Sequence, residues 1–194
     1  MSAQKYDMSR VFKGAFAVLF SRDWEGYFDL TKPALPRSFI AVLLYIPLSF
    51  VVVRAAVHYN DNTAHIPYGA IMVILGLIVL AFPLIAYLLC MVFGKTEEFR
   101  PWVIVRNWTV LFVFVCAAFG FGLYLIGVLP FFVAYVIGLG MYLATLAIDI
   151  RLAWRVARFD IISAVFTGVL ISSATMMILM MALRYGATQI APIA

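Results

Sequence analysis

Arg106, Asn107 and Asp149 are the residues whose types could do chemistry in an unusual place, because each stands against a long apolar run. Ionisable groups at membrane depth are costly, so an Arg and an Asp there either neutralise each other or line a route for a polar substrate. The plainer reading is an ion pair at the boundary. Arg106 can snorkel toward the headgroups, and Asp149 follows directly on the end of its apolar run. Arg151, Arg155 and Arg158 come next, at i, i+4 and i+7, the spacing of one helix face. Such a basic face would bind anionic lipid or an acidic partner, at ~1 kcal/mol per residue near an anionic surface. Orientation of the chain in the membrane calls for the same side chains and is the more economical account of them.

Other chemistries find less support. His58, Asp61 and His65 share a short loop, but without a fourth ligand they match a metal site poorly. The chain has no His-Glu-x-x-His, no Gly-x-Ser-x-Gly and no phosphate-binding loop. Arg100 follows Glu97-Glu98 at the wrong spacing for a Glu-Glu-x-x-x-Arg site, and Met141 follows Gly138-Leu139-Gly140 where an aspartyl site would need Asp. No catalytic set, metal or cofactor is therefore expected. Pro47 and Pro83 each remove an amide donor in mid-run and free a carbonyl, a device that transporters use to build broken-helix sites. Small residues recur at every fourth position in Ala164/Gly168/Ser172, Ala134/Gly138 and Gly140/Ala144, which lets helices approach closely within a bundle or across a homodimer.

Composition explains what must carry these residues. Of 194 residues 66% are hydrophobic and only 12% charged, against about a quarter in a soluble domain. The 14 basic and 9 acidic side chains cannot coat a soluble fold of this length. The basic residues are scattered between apolar runs instead of clustered, so the net charge of +5 does not indicate nucleic acid. A bilayer core of ~30 Å needs roughly 20 apolar residues as helix. Five runs meet this: Ser38–Val57, Pro67–Phe93, Trp102–Ile126, Leu129–Ile148 and Ile161–Leu183. The stretch from Trp102 to Ile148 must turn once, and Gly127-Val128-Leu129-Pro130 is the natural place, Gly relaxing the backbone and Pro opening a new helix. Cys90 and Cys116 both lie in apolar runs and read as reduced core residues.

Orientation follows from Lys and Arg. Lys5, Arg10, Lys13, Arg22, Lys32 and Arg37 precede the first span, Lys95, Arg100 and Arg106 follow the second, and Arg151, Arg155 and Arg158 follow the fourth. Only Arg54 and Arg184 lie on the other side, which places the N-terminus in the cytoplasm and the C-terminus outside. Trp24, Trp102, Trp108 and Trp154 are expected at the basic interface, and Tyr59, Tyr68, Tyr124 and Tyr185 at the other. The N-terminus shows no cleavable leader, since Ala15–Phe20 is too short an apolar core. Within residues 8–30, Val11, Phe12, Ala15, Phe16 and Leu19 recur at helical spacing with Arg10 and Lys13 off the stripe, predicting an amphipathic helix in the inner headgroup layer. Pro33 and Pro36 then break the chain.

The expectation is an all-α polytopic transmembrane bundle. It has a cytoplasmic segment with an amphipathic helix (1–37), a five-helix domain (38–185) and a short outer tail (186–194). With Trp24, Pro33 and Pro36 ahead of five closely spaced spans, this layout resembles the Yip1-like membrane proteins, including their bacterial relatives. The acidic-Leu-Tyr-Gly-Pro signature of eukaryotic members is missing, so their Rab-partner role is not implied, and the resemblance supplies a fold and no functional residue. The reading reached from the residues is a non-enzymatic protein of a bacterial inner membrane that binds anionic lipid, a membrane-protein partner or a second copy of itself. A small transporter or channel subunit is the alternative.

Overall fold

The computed structural model describes residues 8–20, 24–60 and 68–190, with Met8 and residues 182–190 as backbone only. Six α-helices follow one another among the described residues: α1 (Met8–Phe20), α2 (Ala34–Asn60), α3 (Tyr68–Val92), α4 (Phe99–Leu125), α5 (Phe131–Arg155) and α6 (Ile161–Ile190). Helices α2 to α6 are each long and apolar enough to cross a membrane. A chain in hydrocarbon has no water to satisfy its amides, and a helix satisfies them internally. At 1.5 Å per residue even the shortest spans exceed the ~30 Å bilayer core. The protein is an all-α integral membrane protein.

The ends of the helices follow local chemistry. After α4, Gly127 takes φ 77°, its amide donates to the Tyr124 carbonyl at 2.9 Å, and Val128 donates to Leu123 at 2.9 Å. This left-handed closure needs a residue without Cβ, and Pro130 then precedes the first residue of α5. The hairpin expected at Gly127–Pro130 is therefore present. Pro36 does not end the preceding segment. It lies in the first turn of α2, where a missing amide costs nothing, so the helix already starts at Ala34. Helix α5 also runs past the expected end at Ile148 to Arg155, about two further turns. Asp160 opens α6: its Oδ1 accepts from the amides of Ile162 (3.1 Å) and Ser163 (3.0 Å). These bonds, with the Ser163 hydroxyl foremost, hold the Asp160 carboxyl below the ordinary aspartate range. At the far end α6 continues to Ile190, into the expected tail, while residues 191–194 lie outside the described residues.

Helix α4 is the centre of the bundle. It packs on α2 and α5 and also touches α1 and α3, while α6 lies between α5 and α3. In its apolar stretch 44% of the residues are buried, against 11% in α3 and α5. Between membrane helices shape decides the packing, because lipid tails are as apolar as the side chains. A Cβ on Gly138 would come within 2.8 Å of the Phe121 ring, and one on Gly168 within 3.0 Å of the Ile150 amide nitrogen. The small residues thus let α5 approach α4 and α6.

Helix α1 docks on α4 and α5. It buries Val11, Ala15 and Val18 and sets the rings of Phe12 and Phe16 against Phe112. The buried row is rotated from the expected one: Val18 replaces Leu19, and Phe16 and Phe20 remain 56% and 72% exposed. The helix ends at Phe20, after which a 3-10 turn, Glu25–Tyr27, lies close against Gly14.

Three of the four tryptophans are covered by protein. Trp102 is fully buried, Trp108 and Trp24 are nearly so, and Trp154 alone of the four is exposed. Trp102 packs between Phe82 and Phe159. Trp24, Trp102 and Trp108 are thus packed inside the protein, with Trp24, Trp102 and Trp154 standing at the basic end.

Candidate functional site

Two polar layers stand out. The first is inside the bundle. Arg106, on α4, donates from Nε to Asp149 Oδ1 at 2.6 Å and from its terminal Nη2 to Oδ2 at 3.1 Å. The Asp149 side chain is 2% exposed and that of Arg106 12%. The guanidinium carbon lies 3.8 Å from the centre of the Phe82 ring, a cation–π contact from α3. Arg106 and Asp149 sit about 9–11 Å along their helices from Phe99 and Arg155 respectively. Asp149 is thus a residue of the helix interior and not of its end, and Arg106 turns inward to it instead of snorkelling outward. Each charge is met by the other, so neither is left unpaired inside the bundle. Beside them Asn107 Nδ2 donates to Ser38 Oγ at 3.0 Å, and the Ser38 hydroxyl donates to the Leu35 carbonyl. The expected trio is real as a layer, but Asn107 faces α2 while Arg106 faces α5.

The second layer lies at the basic end, where the connections α1–α2, α3–α4 and α5–α6 meet. Arg158 donates from Nε to Glu98 at 3.2 Å and approaches Glu25 at 3.8 Å. It does not share a helix face with Arg151 and Arg155, because α5 ends at Arg155 and Arg158 takes φ 55° beyond it. Arg155 lies 3.5 Å from the Val18 carbonyl at the end of α1 and 5.6 Å from the Trp154 ring. Basic groups at a helix C-terminus meet the negative end of its dipole. Arg151 differs from both: its Nε is buried and has no hydrogen-bond partner.

Several participants were invisible in sequence. Phe82, Ser38, Glu25 and Glu98 carried no signal for their partners, which come from distant segments. Asp160 did carry one, since Asp directly before an apolar run is a helix-start pattern. Of the conceivable metal ligands, His58 packs on Tyr124, while Asp61 and His65 lie outside the described residues. The prolines are both inside helices, Pro47 in α2 and Pro83 in α3, and the cysteines are free. The chain matches no known family, curated protein or solved structure among those compared with it.

Proposed function

We propose that this is a non-enzymatic membrane protein that acts by binding, holding anionic lipid or a membrane-protein partner at the basic end of the bundle. One contrast carries this reading. The charges within the bundle satisfy each other, Arg106 with Asp149, whereas at the basic end Lys13, Lys32, Arg37 and Lys95 stand exposed. Exposed cations gathered at one end favour an anionic surface. Helix α1 adds an outward row, Lys13, Phe16 and Phe20, suited to a headgroup layer. The strong bias of Lys and Arg to one side supports a cytoplasmic basic end, and the short connections between the spans favour a bacterial inner membrane. A transport reading has less behind it, because Arg106 and Asp149, its best ligands, are engaged with each other.

The test is purification from native membranes in a mild detergent, followed by native mass spectrometry. Retention of anionic lipid or of one stoichiometric partner is expected. A bare polypeptide that regains neither on titration would overturn the proposal.

A further inference from the structure

We infer that the groove between α2 and α3 binds a neutral single-chain lipid through a hydroxyl group, which donates to a backbone carbonyl that a proline has left without its amide. The two helices hardly meet, since α2 packs on α4, and α3 on α6 and α4. From Tyr68 to Ala81 no residue of α3 is buried, whereas Phe82, Ala86, Leu89 and Cys90 are. Pro83 thus stands where α3 leaves the bundle, and the groove opens beyond it. Phe39, Leu43 and Ile46 of α2 line one wall and Met72, Gly76 and Val79 of α3 the other, around a volume of about 280 Å³. That is near the lower end for small-molecule sites, roughly 300–1,000 Å³, and suits one chain.

The polarity of this groove is on the backbone, because every lining residue is apolar or glycine. Proline has no amide hydrogen, so Pro83 withholds the helical donor from the Val79 carbonyl and Pro47 withholds it from the Leu43 carbonyl. Both of those residues line the groove, one on each wall. Serine and threonine of the same helices do not make up the loss. Helix α3 has neither, and in α2 the hydroxyl of Ser49 donates to Tyr45 and that of Ser38 to Leu35. In hydrocarbon no water replaces the missing donor. The groove begins just past the inner polar layer: Phe39 follows the Ser38 that Asn107 reaches, and Val79 lies one turn toward Tyr68 from the Phe82 that covers Arg106. From Phe39 to Ile46 the helix rises about 10 Å further. At that depth a charged headgroup is costly, whereas a hydroxyl that finds an acceptor is not. An apolar chain with one neutral donor meets both the walls and the carbonyls. The basic end takes no part, so this site stands or falls apart from the anionic-lipid reading.

The experiment photolabels the full-length protein in phosphatidylcholine nanodiscs with an oleyl alcohol carrying a mid-chain diazirine, and maps the adducts by mass spectrometry. Adducts should concentrate on residues 39–46 and 72–79. Oleyl alcohol should displace the label about fivefold better than oleyl methyl ether, which has the same chain and no donor. Gly76→Leu, whose added atoms start from open space, should fill the groove and abolish the labelling. Pro47→Ala combined with Pro83→Ala returns both amides and should remove the alcohol's advantage, by equalising the two competitors or by emptying the groove. A preference that survives in that variant overturns the inference, and so does equal competition in the wild type. Labelling spread evenly over the exposed side chains of α5 and α6 would mean bulk lipid only, and the site would fall. Should Gly76→Leu convert a dimer to a monomer and leave the labelling unchanged, the groove is a contact between copies and the inference fails.

Discussion

An aspartate buried between membrane helices is tolerable only with a counter-charge in reach, and Arg106 supplies it through two hydrogen bonds. The desolvation cost of such a pair cancels much of its attraction, so its main effect is to select one register of α4 against α5. Asp149→Ala should then destabilise by roughly 3–5 kcal/mol, because it strands a buried guanidinium, whereas Arg106→Met combined with Asp149→Leu should be close to neutral. Unfolding of the three proteins in one detergent compares them, and equal losses for the single and double variants would refute the account. The Asp160 cap behaves differently, since it is exposed and its folded pKa is depressed. Its contribution is present above the ordinary aspartate range and disappears as pH falls through the lower, folded value. The thermal stability gap between wild type and Asp160→Ala should accordingly be full at pH 7 and shrink on acidification below about pH 4.

Helices here meet where side chains are missing. Gly168→Ala should force α6 from α5, since the new methyl would press on the Ile150 backbone at 3.0–3.2 Å, at a cost of about 1–3 kcal/mol. Gly122→Ala has open space around it and should be harmless or slightly stabilising, because alanine is the better helix former. The pair can be read by the same unfolding assay, and similar effects for both would show that close approach is not what holds α5 and α6. At the α5–α6 turn Arg158 holds a backbone conformation that disfavours a side chain. Arg158→Gly removes a strain of roughly 1–2 kcal/mol, while its exposed contacts with Glu98 and Glu25 are worth little. That variant should melt no lower than the wild type, and the comparison should favour it more at high salt.

Five helices long and apolar enough to cross predict an odd-numbered traverse, with residues 1 and 194 expected on opposite sides of the bilayer. Reporter fusions at residues 1 and 194 should give opposite localisation, with the N-terminal one cytoplasmic. Cysteines placed at Leu77 or Val113 should resist aqueous maleimide from either side. The ion contacts joining Arg158 to Glu98 and Glu25 bring three connections to one end, as that traverse requires. Two reporters on the same side would mean that one of the five apolar helices does not cross.

Much of this was legible in order of the length of its signal. The five spans could be read because twenty consecutive apolar residues have no other stable state in a bilayer, and the turn at Gly127 because only glycine enters that conformation freely. The existence of α1 was legible from its period, but not its buried row, because both sides of the helix carry apolar residues and only the neighbours decide which is covered. The pairing of Arg106 with Asp149 was legible, since the hairpin at Gly127–Pro130 makes their helices neighbours, but its depth in the bundle, the burial of Trp102 and the partners of Arg158 were not. They depend on residues far apart in the chain, and no local pattern records how those residues pack. Tertiary packing alone decided that the Arg106–Asp149 pair lies inside the bundle and that Arg158 leaves the face of Arg151 and Arg155 to meet Glu98 and Glu25.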